Sequence, residues 1–239
     1  MSMPFYVAPE QVMKDRADYA RKGIARGRAL VAVRYTDGIA LVAENPSETL
    51  RKISEIYDRI AFAGVGKYNE FDQLRVAGVR AADLKGFQYS RDDVDARSLA
   101  NQYAQILGQI FTPEMKPMGV EILVAEVGQE SADDQMFQIL YDGTVMDERD
   151  YIATGSGSLH AGTVIKVGYH PDMARDDAII LACRSLWEAA DADSATGGPD
   201  ALRGIYPIVA TVTAAGWERV GDDELAARYA TIASEVHSR

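Results

Sequence analysis

The chain has 239 residues, 47% hydrophobic and 26% charged, which is enough apolar material for one large core and too little bias for a disordered chain. A formal net charge of −11 argues against nucleic-acid binding, which needs a cationic face, and no apolar run reaches membrane-spanning length. The single cysteine, Cys183, rules out an internal disulfide and a thiolate zinc cluster and fits a reducing compartment. The opening residues lack the basic-then-apolar pattern of a signal peptide, so a cytoplasmic protein is expected.

Taken in chain order, residues 1–8 are apolar, contain Pro4 and show no period, which predicts a mobile arm. Met13, Ala17, Ala20 and Ile24 recur at helical spacing behind Pro9, predicting a helix over 9–26 with Gly27 at its end. Ala29–Tyr35 and Ile39–Glu44 flank Thr36-Asp37-Gly38 and read as a hairpin. The first run is apolar on both parities, so both its faces are expected to be covered. A third strand is expected over 56–63, then a helix over 67–82. Ser90 and Asp93 form a capping-box spacing before the apolar stripe Leu99, Tyr103, Ile106, Leu107 and Ile110, which Pro113 ends.

Strands are expected again at 120–127, 136–141 and 151–154, and helices at 159–168 and 176–190. The stretch 191–200 is small and polar and reads as a loop or a disordered excursion. Strands at 205–214 and 217–220 and a closing helix marked by Leu225, Tyr229, Ile232 and Val236 complete the chain. Helix pairs separate blocks of strands, which disfavours a doubly wound parallel sheet and favours stacked sheets covered by helices. No linker is long enough to split the chain, so residues 1–239 are expected to form one domain, with the arm 1–8 and the helix 9–26 leading into a core over 27–239.

Few residues carry obvious chemistry. His160, His170 and His237 share no metal-ligand spacing, and neither a metal nor a cofactor is expected. Gly155-Ser156-Gly157-Ser158 could form a phosphate nest, but it is neither a Walker loop nor a nucleophile elbow and reads better as a tight strand-to-helix turn.

Several segments, in order and spacing, resemble one family. Asp18-Tyr19-Ala20-Arg21-Lys22-Gly23 is similar to the Glu-Tyr-Ala-Arg element of proteasome α subunits. Ala43-Glu44-Asn45-Pro46 and Leu50–Arg59 resemble the next block, and Gly66-Lys67-Tyr68-Asn69-Glu70-Phe71-Asp72 is similar to its actinobacterial version. Leu99–Gln105, Lys116-Pro117, Val120-Glu121-Ile122 and Tyr141-Asp142-Gly143 continue the resemblance, which covers roughly residues 4–165 well. It implies an α+β fold, a four-layer αββα sandwich of the N-terminal-nucleophile hydrolase type. It also implies a seven-membered α ring of identical copies stacked on proteasome β subunits, a ring-shaped ATPase or other activator docking through its C-terminus, and protein substrates in transit. Nucleic acid and membrane are not among the implied partners.

The catalytic members of that family expose a threonine by self-cleavage after glycine, its hydroxyl attacking and its own amine assisting. Here Arg28 follows Gly27 before the first strand, and an Arg side chain cannot attack a carbonyl. The resemblance therefore implies a non-catalytic scaffold, the alternative being a self-processing hydrolase acting alone. It places Lys52, Asp18 and Gly64 in a pocket for the activator's C-terminal carboxylate, where a cation is expected to serve. It makes Met3, Pro4, Phe5 and Tyr6 of the arm a pore gate. The loop Pro113, Glu114, Met115 and Lys116 becomes the lining of the pore.

Overall fold

The computed structural model describes residues 8–45, 47, 50–114, 116–130, 133–200 and 203–237. Helix α1 (Pro9–Ile24) leads into the hairpin β1 (Leu30–Tyr35) and β2 (Gly38–Ala43), then β3 (Ile53–Tyr57) and β4 (Ile60–Gly66). Helices α2 (Tyr68–Gln88) and α3 (Ala96–Phe111) follow, then β5 (Val120–Glu126), β6 (Gln135–Ile139), β7 (Val145–Glu148) and β8 (Tyr151–Thr154). Helices α4 (Ser158–Gly168) and α5 (Arg175–Ala192), strands β9 (Ile208–Thr213) and β10 (Gly216–Arg219), and α6 (Asp222–His237) end the chain.

The strands form two five-stranded antiparallel sheets, in the orders β10-β9-β2-β1-β8 and β3-β4-β5-β6-β7. Strand alternation sends each sheet's two faces into different cores. Leu30, Ala32, Ile39 and Leu41 face Ala61, Ala63, Leu123 and Ala125 between the sheets. On the other side of the first sheet, Val31, Val33, Ala40 and Val42 meet Ile165, Ala182, Leu186 and Ile232 of the helical layer. Phe62, Val124 and Phe137 of the second sheet meet Phe71, Leu74, Leu99, Tyr103 and Leu107. The order is helices, sheet, sheet, helices, the expected four-layer αββα sandwich, and it explains why β1 is apolar on both parities.

Several expected boundaries move. The single strand over 56–63 is a hairpin, β3 and β4, turned at Asp58-Arg59 with Asp58 at φ 41°. No glycine marks this turn, so composition hid it; Asx residues tolerate the left-handed region better than most. Strand β7 is additional and carries three polar or exposed residues of its four. Helix α2 runs on to Gln88, and its Gly78 and Gly86 let Tyr103 and Tyr57 approach its backbone. Ser90 caps a short 3₁₀ turn through Asp92 N, whereas the cap of α3 is Asp95, whose carboxylate accepts from Ser98 N at 2.7 Å. The stretch 191–200 is a loop from Asp193 onward, as expected, with α5 extending to Ala192 and Thr196 fully buried as the loop's anchor.

Candidate functional site: the start of the first strand

The catalytic position of the resembled family is the residue at the head of β1. Here the chain reaches it through a folded helix. Ala20 and Ile24 of α1 enter the inter-sheet core. Tyr19 lies under Lys67 Nζ, 4.7 Å from the ring centroid, and its hydroxyl is 3.1 Å from the same amine. Arg16 donates to Phe111 O at 2.9 Å and also to Thr112 O. Gly23 packs so closely on Gly119 that an added Cβ would lie 3.1 Å from its Cα.

Gly27 is a glycine for the same reason, since a Cβ there would meet Gly66 N at 2.4 Å. Its N–H donates to Ile24 O and its carbonyl accepts from Ser156 N, both at 2.8 Å. The peptide before Arg28 is thus an integrated part of the fold. The guanidinium of Arg28 lies against Gly197, where a Cβ would fall 2.1 Å from Nη1.

Beneath it sits a buried charged pair. Lys52, 5% exposed, donates from Nζ to Arg28 O at 2.7 Å and to Glu44 O at 3.0 Å. Glu44 is 1% exposed, and its Oε1 has no hydrogen-bond partner. Burial pulls the Lys52 ammonium well below its ordinary range, with Glu44 opposing and Arg28 adding to that pull. Burial likewise pushes the Glu44 carboxyl up against the counteracting cations Arg28 and Lys52. In both groups desolvation outweighs the attraction of the opposite charge.

The turn before α4 closes the other side. Ser156 Oγ hydrogen-bonds Asp193 Oδ2, and Thr196 Oγ1 lies 2.8 Å from Ser156 O and 3.0 Å from Asp193 Oδ2. The Ser156 hydroxyl, foremost, holds the Asp193 carboxyl below its usual range. Gly157 turns into the helix at φ 72°, so the tight-turn reading of 155–158 is the one the structure adopts. Ser156, Asp193 and Thr196 are thus occupied in tying this turn to the 193–197 loop. A nucleophile needs a free base within hydrogen-bond reach; Lys52 is committed to two carbonyls and Ser156 to a carboxylate. Among the described residues, no group of three His, Cys, Asp or Glu is placed to hold a metal ion.

The remaining expected site residues are dispersed. Gly64 N donates to Lys52 O at 3.0 Å, so these two are adjacent through the backbone. Gly64 is buried, however, and its missing side chain makes room for Phe71, whose ring would be 2.6 Å from a Cβ. Asp18 sits on α1 with its side chain 48% exposed, 3.5 Å from Arg21, and is not among the charges acting on Lys52. Pro113, Glu114 and Lys116 are exposed in the α3–β5 connection, where Glu114 N donates to Ile110 O at 3.2 Å. Met115 and the gate residues Met3, Pro4, Phe5 and Tyr6 lie outside the described residues. Sequence reasoning missed Glu44, Ser156, Asp193 and Thr196 as partners of this site. A carboxylate ending an otherwise apolar strand was the one available signal for Glu44.

Comparison with known proteins agrees with this architecture. A family model described as "Proteasome subunit" matches residues 24–202. A "Proteasome subunit alpha" of Acidimicrobium ferrooxidans is 74% identical over 155 residues, 65% of this chain and 67% of the relative. One from Kineococcus radiotolerans is 55% identical over 199 residues, covering 83% and 84% of the two chains. One from an Arthrobacter species is 48% identical over 231 residues, covering 95% and 97%. With a matched family spanning most of its length and the family's two-sheet sandwich between helices, the chain belongs to the proteasome subunit family.

Proposed function

We propose that this chain is a non-catalytic α-type ring subunit of a proteasome core, assembling with copies of itself and with proteasome β subunits. The observation that carries the reading is the head of β1. Arg28 stands where a catalytic member needs a free N-terminal nucleophile, and its backbone continues into the packed helix α1. The names of the relatives, "Proteasome subunit alpha", point the same way. A cytoplasmic location is part of this reading; among the described residues no helix is long and apolar enough to cross a membrane.

Two finer roles follow from the resemblance. Residues Met3–Tyr6 gate the pore, whose lining is Pro113–Lys116, and an activator's C-terminal carboxylate docks at Lys52 with Asp18 and Gly64 contributing. Lys52 supports docking in one respect: an ammonium has three donors, and two are used here, both on neutral carbonyls.

Co-expression with the β subunit from the same genome, followed by native mass and a fluorogenic-peptide assay, tests the core reading. A stacked-ring mass with hydrolysis only when β is present is the expected result. A stable monomer beside unassembled β overturns it. Removing residues 2–8 should raise basal peptide entry into the assembled particle, and unchanged entry rejects the gate. In particles whose assembly is intact, Lys52→Ala should weaken activator-stimulated proteolysis and spare basal cleavage; an unchanged activator response rejects the docking role.

A further inference from the structure

The connection from α3 to β5, residues 112–119, forms an arch. Thr112, Pro113, Glu114 and Lys116 are exposed, whereas Pro117 and Gly119 are buried. Both feet of the arch stand on one face of α1. At its start, Arg16 Nη1 donates to Phe111 O at 2.9 Å and also to Thr112 O. At its end, Gly119 packs on Gly23, and a Cβ on Gly119 would fall 3.3 Å from Gly23 Cα. Arg16 and Gly23 lie about two helical turns apart, which returns them to the same side of the helix.

The two feet differ in how they are held. The end foot is also bound to the start of α2: Gly119 N donates to Glu70 Oε2 at 2.7 Å, and Gly119 O accepts from Lys67 N at 3.1 Å. The start foot presents the last carbonyls of α3, which no helical N–H reaches. The last turn of α3 holds no basic residue of its own, so the cation that a helix C-terminus attracts comes from α1. A charged donor makes the stronger kind of hydrogen bond, and here one guanidinium nitrogen serves two carbonyls. Helix α1 buries Ala20 and Ile24 alone, so Arg16 ties its otherwise shallowly seated first half to the arch.

We propose that Arg16 is a positioning residue that couples α1 to the 112–118 loop, so that the start of the loop keeps its place only while α1 is docked. Lifting α1 breaks both bonds and releases the start of the arch, and opening of the arch frees the first turns of α1. The coupling stands on these contacts alone. Its consequence, control of pore width from the helix that follows the arm, rests on the pore reading proposed for Pro113–Lys116.

Hydrogen exchange of the full chain, read by mass spectrometry, tests the coupling. Glu114 N is bonded to Ile110 O, so its amide reports opening of the arch. Arg16→Met keeps an apolar stem and removes the donors. It should speed exchange across 112–116 and across the first turns of α1 by about tenfold, as loss of a charged hydrogen bond implies. Arg16→Lys, which keeps a cation, should recover most of the protection. Lys14→Met, an equal loss of charge at an exposed position of α1, should leave exchange unchanged, and β1 and β2 should exchange at the wild-type rate throughout. Unchanged exchange at 112–116 in Arg16→Met overturns the coupling, as does loosening confined to one of the two segments. Equal acceleration in β1 and β2, or in Lys14→Met, overturns it as well. In particles assembled with β and lacking residues 2–8, Arg16→Met should also raise hydrolysis of a disulfide-looped unfolded protein relative to a short linear peptide by about threefold. Coupled exchange without that rise upholds the coupling and defeats the pore reading.

Discussion

The head of β1 and the two lateral margins of the sandwich, at end strands β10 and β3 and at β8 and β7, are both rich in charge, yet they differ in what the charge faces. At the β1 head, Arg28, Glu44 and Lys52 turn inward and are bound by backbone carbonyls, a packed loop and one another's fields. At the margins, Arg51, Arg219, Asp147 and Glu148 border open clefts beside apolar side chains. A buried charge is costly to leave unpaired, so the first region is sensitive to single changes in the isolated chain. An exposed charge contributes little to folding and its effect is felt only when a partner arrives. The interior site thus bears on this chain's own stability as well as on the docking proposed for Lys52, whereas the open clefts are felt only through a partner.

The largest effect should come from Lys52→Met, which leaves the Arg28 and Glu44 carbonyls bare and removes one of the two cations, Arg28 and Lys52, that act on the buried Glu44 carboxyl. Urea unfolding should show a loss of about 3 kcal/mol or more, with part recovered by adding Glu44→Gln. A near-neutral Lys52→Met would break the contrast between the two regions. Gly78→Ala comes next, because its Cβ would fall 1.7 Å from the hydroxyl of Tyr103, which has no hydrogen-bond partner. Overpacking should cost about 1–3 kcal/mol despite the better helix propensity of alanine, and less in a Tyr103→Phe background.

Asp95→Ala should cost about 1 kcal/mol at neutral pH through loss of the α3 cap. Burial works to raise the Asp95 pKa, but the Ser98 hydroxyl, Lys85 and the Ser98 N–H together hold it below the usual value. Its folded pKa is therefore the lower one. The stabilisation is fully present above the unfolded carboxylate pKa and fades as pH falls through the folded value, so the wild-type and variant unfolding curves should converge in acid. The smallest effect is Leu159→Ser, expected to change the unfolding free energy of the isolated chain by less than about 0.5 kcal/mol, as for a surface change. A larger loss would mean that Leu159 packs within its own chain.

The layer order was legible because hydrophobic period and helix pairing survive without tertiary context. β1, with apolar residues at every position from 29 to 33, announced a sheet covered on both sides, and Leu99-Tyr103-Leu107 announced the helix that packs on Phe62 and Phe137. The β3–β4 turn was not legible, since Asp58 adopts φ 41° where composition signals glycine. Nor was the polar cluster. Ser156 stands 37 residues before Asp193 and 40 before Thr196 and becomes their partner only when the 193–197 loop folds onto the β1 head. Lys52 was found through resemblance, but its burial could not be read from a stretch that looks like an ordinary charged strand start. Gly64 reads as a pocket residue by position and turns out to accommodate Phe71.

The central claim is that the head of β1 is a structural joint with no exposed nucleophile. Intact mass of the chain purified from assembled particles, paired with peptide hydrolysis by the chain alone, tests it most directly. The account predicts that the residues ahead of Arg28 remain covalently attached and that the chain alone hydrolyses nothing. A mature chain beginning at a threonine, serine or cysteine, with hydrolysis in the absence of β, would contradict it.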